Sequence, residues 1–70
     1  MSLQALAVAV KNALERGEPT KVAVHSETQV ELGQRAAQRL GGDRAKGMMT
    51  FVVIPENEQE LYPVGAILVP

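Results

Sequence analysis

Helical and extended patterns alternate along this chain in the order helix, strand, helix, strand, strand, and all five fit within 70 residues. A chain built that way has room for one layer of sheet and one layer of helices, and it enters the sheet from a helix rather than from a leading strand. Leu3, Leu6, Ala7, Val10, Ala13 and Leu14 recur at the three- and four-residue spacing of one helical face, with Lys11, Asn12, Glu15 and Arg16 off that stripe. Gly17 marks the stop. Glu18-Pro19 then turns the chain into an extended run over residues 20–25, whose Val22 and Val24 share one side opposite Lys21, Ala23 and His25.

The second helix has two candidate caps. Ser26 with Gln29, and Thr28 with Glu31, each fit the pattern of a hydroxyl side chain followed three residues later by Glu or Gln. Val30, Gly33, Ala37 and Leu40 set the apolar stripe, Gly33 permits close approach to a sheet, and Gly41-Gly42 predicts the end of the helix. The stretch GGDRAKG then reads as a flexible basic connector to a dense run of β-formers over residues 48–54, closed by Pro55. An acidic loop with Glu56, Glu58 and Glu60 leads to a last extended run over residues 64–69. Because a helix joins the first two strands, they are expected to run parallel through a right-handed crossover, while the last two strands are placed to pair antiparallel. The predicted fold is a single α/β domain over residues 1–70. It is a two-layer sandwich in the order α-β-α-β-β, with a mixed sheet of three to four strands backed by two helices.

Composition narrows what such a domain does. The 46% apolar and 21% charged residues are ordinary for a globular chain, but Phe51 and Tyr62 are its whole aromatic content. A core of this size without large anchors is marginal alone, and with no cysteine there is no disulfide to help. Partner subunits are the remaining stabiliser. The single His25 cannot form a His-based zinc site alone, and the acidic loop matches no calcium-loop signature. A net charge of −1 argues against a general nucleic-acid binder. The longest apolar run, residues 5–10, is too short to span a bilayer, and residues 1–14 lack the basic start of a secretory signal. A cytoplasmic protein with no membrane partner is therefore expected.

No catalytic signature, metal-ligand set or cofactor motif stands out. GGDRAKG has glycines and two cations but not the spacing that places a lysine and a hydroxyl on a bound nucleotide. If this region binds an anion or nucleic acid, Arg35, Arg39, Arg44 and Lys46 are the candidate contacts. His25 and Ser26 are the candidate ligand-facing pair, since parallel α/β sheets present ligand groups where strands end. A catalytic role would need a third group that the sequence does not identify. The bland reading of Ser26 is a helix cap, and that of Met48, Met49 and Phe51 is core filling.

Over the first 42 residues the stretch KNALERGEPTKVAVHSETQVELGQRAAQRLGG resembles the TusA/SirA-like sulfur-carrier family. The likeness lies in a first helix ending K-x-A-L-E, a glycine, a short strand, a Ser-Glu cap and a second helix ending in leucine-glycine. The carrier cysteine of that family belongs to a Cys-Pro-x-Pro element, where Leu3-Gln4-Ala5-Leu6 stands here, and the strand before it is missing. The resemblance thus implies the β-α-β-α-β-β plan without the sulfur chemistry. From the first helix through Ile54-Pro55 the spacing also resembles Alba-like proteins, especially the stage V sporulation protein S family. That likeness implies a dimeric nucleic-acid binder whose basic loop residues meet phosphate.

The sequence reading is thus of a non-enzymatic binding or assembly module that forms a homo-oligomer or joins a larger assembly. The alternatives are an Alba-like nucleic-acid-binding protein and a degenerate sulfur-relay accessory or enzyme subunit. The small sheet itself favours assembly, because a three-stranded sheet has two edges and unprotected edges pair with other chains.

Overall fold

A computed structural model of the chain describes residues 3–68, with side chains from residue 4. The first helix, α1, spans Leu3–Arg16 and buries Leu6, Ala9, Val10 and Ala13. These positions fall three or four apart, so they make one stripe. Ala9 takes the place expected for Ala7, which is exposed, and Leu14 is half-buried at the margin. The side chain of Leu3 lies outside the described residues. Gly17 ends the helix as predicted, donating its N–H to Leu14 O at 3.1 Å.

Strand β1, Thr20–Val24, occupies the centre of a three-stranded sheet ordered β2-β1-β3. Its side chains at Thr20, Val22 and Val24 are buried, and Ala23 on the opposite side is also fully buried. A central strand is flanked on both sides, so a small residue is shielded even on the sheet face that no helix covers. Thr20 spends its hydroxyl proton on Glu18 O at 2.9 Å.

Helix α2 spans Glu27–Met48 and starts at the cap predicted with Ser26, whose Oγ accepts from the Gln29 N–H at 3.3 Å. Gln29 reaches back, its Oε1 accepting from the His25 N–H at 2.6 Å. The reciprocal pair satisfies two backbone donors at the helix entrance. Gly33 and Ala37 are buried as expected. A Cβ built at Gly33 would stand 2.5 Å from Cε1 of Phe51, so the helix rests on the strand at a distance only glycine allows.

Two expectations for this helix are corrected. Leu40 does not lie on the buried stripe: it is 54% exposed, and Gly41 faces Leu14 instead. GGDRAKG is not a flexible connector, because the chain resumes helical geometry after a single break at Gly42, which has φ 72° and ψ −164°. That backbone is left-handed territory open to glycine. Ala45, 1% exposed, pins the resumed segment into the core, and Met49 follows it there.

Strand β2, Met49–Val53, runs parallel to β1 with Thr20 opposite Met49 and Val24 opposite Val53. The ladder extends one residue further, Ile54 donating to Val24 O at 2.8 Å. Strand β3, Ile67–Leu68, pairs antiparallel with β1. It therefore does not pair with β2, as the order of the last two strands had suggested, but crosses to the far side of β1. The reason lies in the loop: Glu56–Glu58 forms a 3-10 turn, and the chain then returns over the end of β1. The expected 64–69 run is shorter because Ala23 donates to Ala66 O at 2.8 Å yet accepts from Gly65 at 2.9 Å. Two residues share one partner there, which ends regular pairing. Val69 lies outside the described residues.

The architecture is thus a small α/β fold of two helices over a mixed sheet, in the predicted order and with three strands. Leu6, Val10, Val22 and Val24 are its largest fully buried side chains, and Phe51 closes the core beneath α2.

Candidate interaction surface

Three surfaces carry exposed chemistry, and the fold positions each. The first is the open edge of β2. Because Ile54 N–H and Val24 O fix the phase of the parallel ladder, residues 50, 52 and 54 point their backbone groups toward β1. The alternation turns the N–H and C=O of Phe51 and Val53 away from β1, where no strand pairs with them among the described residues. This strand, MTFVV, contains no charge, proline or glycine, and the Val53 side chain is 38% exposed.

The second surface is a groove of about 1090 Å³ along the outer side of α2, with Ala7 of α1 on its border. Leu32, Ala36 and Leu40, spaced at i and i+4, form an apolar floor. They are a second stripe beside the buried one, so the apolar arc of α2 is wider than the core it covers. This stripe escaped sequence reading because Leu40 was assigned to the buried face, although the four-residue repeat 32, 36, 40 was there to be seen. Arg35, Arg39 and Lys46 line the same groove together with Glu31 and Asp43. Three of the four candidate cationic contacts are thus brought together, while Arg44 is exposed but does not line the groove.

The third is the loop after β2. Glu56, Glu58 and Glu60 are exposed, Leu61 is 75% exposed and Tyr62 is 40% exposed. Backbone turns hold this apolar knob out: Glu58 O accepts from Leu61 at 3.0 Å and from Tyr62 at 3.2 Å, and Gln59 Nε2 donates to Ile54 O at 3.2 Å. His25 Nε2 lies 2.8 Å from Tyr62 O. A carbonyl oxygen only accepts, so Nε2 is the donor and carries the hydrogen.

The candidate pair His25 and Ser26 therefore stands at the end of β1 as expected, with both side chains engaged on backbone. His25 ties down the loop, and Ser26 caps α2. No group of three or more metal-ligating side chains occurs among the described residues. No described helix is long and apolar enough to cross a membrane. No protein-family model matches the chain, and no curated protein or solved structure matches it either.

Proposed function

We propose that the protein is a small assembly module that self-associates, with β2 pairing edge to edge with β2 of a second copy. The observation that carries this reading is the unprotected edge: a neutral five-residue strand with free backbone groups at Phe51 and Val53. Edge strands that stay monomeric usually carry a lysine, a proline, a bulge or a covering loop, and β2 has none of the first three within it. An antiparallel pair about a two-fold axis would continue the sheet across both copies. It would also bring further apolar cover to a core whose aromatic residue is Phe51.

Val53→Lys is the test, because it places a charge on the edge while leaving the bonds to β1 intact. Native mass spectrometry of the wild-type chain is expected to show a dimer or multiple of it, and the variant a loss of the two-fold contact. A wild-type chain that stays monomeric at high micromolar concentration would end this reading.

A specific observation supports a second one, the Alba-like nucleic-acid binder: Arg35, Arg39 and Lys46 share a groove. Glu31 and Asp43 in that groove weigh against phosphate, and we rank it second. The sulfur-relay accessory gains no support from any group placed in the site.

A further inference from the structure

Charge in this chain is segregated along its length. Residues 33–46 hold Arg35, Arg39, Arg44 and Lys46 against one acid, Asp43, whereas residues 47–70 hold Glu56, Glu58 and Glu60 and no lysine or arginine. The α2 groove itself is lined by Arg35, Arg39 and Lys46 against Glu31 and Asp43, a net 3 − 2 = +1, while the loop glutamates carry −3, so the two are opposite in sign. Among the described residues the one ion pair joins Arg16 to Glu18, so neither set neutralises the other within a copy.

Topology keeps them apart. With β1 and β2 parallel, α2 leaves the C-terminal end of β1 and must return to the N-terminal end of β2. The acidic loop follows the C-terminal end of β2 and is fastened to β1 by His25. The last turns of α2, with Asp43 and Lys46, therefore lie at the opposite end of the sheet from that loop.

Apolar surface is segregated in the same way. Leu61 projects beside the glutamates, and Leu40 lies on the groove floor beside Arg39. Arg35 and Arg39 are one helical turn apart, about 6 Å along the axis.

We propose that the acidic loop of one copy seats in the α2 groove of the next. Leu61 lies on the floor made by Leu32, Ala36 and Leu40, and the loop glutamates lie against Arg35 and Arg39. This rests on the self-assembly reading and adds a second contact to it. The contact is heterologous, with different patches on the two copies, so repetition builds a ring or a filament. Combined with the two-fold contact at β2, it links pairs of copies into a larger array.

The test is run in the Val53→Lys chain, where β2 pairing is blocked. Two charge variants are added to it: Glu58→Lys with Glu60→Lys, and Arg35→Glu with Arg39→Glu. All five side chains are exposed or line the open groove, so circular dichroism is expected to be unchanged. In sedimentation velocity the Val53→Lys parent is expected to associate, less so as salt is raised. Each charge variant alone is expected to remain monomeric, and an equal mixture of the two to associate again, since each then offers the other an opposite partner. Leu61→Ala in the parent is expected to raise the half-association concentration about tenfold.

Charge variants that associate like the parent, or a mixture that stays monomeric, would overturn the head-to-tail contact. So would a Val53→Lys parent that is monomeric at every concentration while the wild type pairs, an outcome that leaves the β2 reading standing. A monomeric wild type removes both. A random-sequence DNA duplex that binds the parent and not the Arg35→Glu, Arg39→Glu chain, with no restoration on mixing, would overturn it in favour of a nucleic-acid partner.

Discussion

The two edges of this sheet are built by different means. Under β2 the contacts are between side chains: Phe51 packs beneath Gly33, and Met49 and Ala45 fill the space below the end of α2. At β3 Val64 and Ile67 also pack against the core, but the return to the strand is fixed by backbone acceptors, with Ala23 bonded to Ala66 and Gly65, and His25 holding Tyr62. The first edge is long, regular and open. The second is two residues long and preceded by an irregular return. A side-chain-packed edge is rigid enough to present its free backbone groups in register, which is what strand pairing between copies needs. A backbone-tied edge resists pairing because too little regular strand is offered.

This contrast is sharpest at Phe51. Phe51→Ala removes the ring that fills the gap under Gly33 and is expected to cost about 3–5 kcal/mol. A 70-residue domain has roughly 4–10 kcal/mol in hand, so thermal denaturation should show a chain partly unfolded at ambient temperature. A loss under about 1 kcal/mol would mean that β2 is not held by this contact.

Gly33→Ala tests the same junction from the helix. The added methyl meets the Phe51 ring, and the strain is expected at about 1–3 kcal/mol. Combining it with Phe51→Leu, which leaves more room, should recover part of that loss in a double-mutant cycle. Simple additivity would show that the two residues do not touch as described.

Much of this was legible in the chain. The period-3.6 pattern located both helices, alternation located the first strand and a dense run of β-formers the second, and Ser26-Gln29 located the helix entrance, because all of these are local signals. What failed was long-range or depended on competing local choices. The glycine pair at 41 and 42 reads as an end, yet the chain resumes helix once Gly42 has taken up the bend, and Ala45 is buried in the core there. Partner choice for β3 depends on how a 3-10 turn directs the chain, and no residue pattern encodes that direction. For the surface, Arg35 and Arg39 were visible as a pair one turn apart, whereas the apolar floor between them was hidden by assigning Leu40 to the core. His25 was singled out for its place at the strand end, and its bond to Tyr62, 37 residues away in sequence, could not be read from either neighbourhood.

That bond gives the smallest effect and tests the other side of the comparison. His25→Ala releases Tyr62 O at an exposed site, so global stability should fall by less than about 1 kcal/mol. The local consequence is larger than the global one if the β3 edge depends on backbone ties. Amide exchange at Gly65 and Ala23, which close the bonds between the return loop and β1, is then expected to quicken about fivefold, while the Ile54 amide bonded to Val24 stays protected. Uniform quickening at both edges would show instead that the sheet opens as one unit, and the distinction between a packed edge and a tied one would be lost.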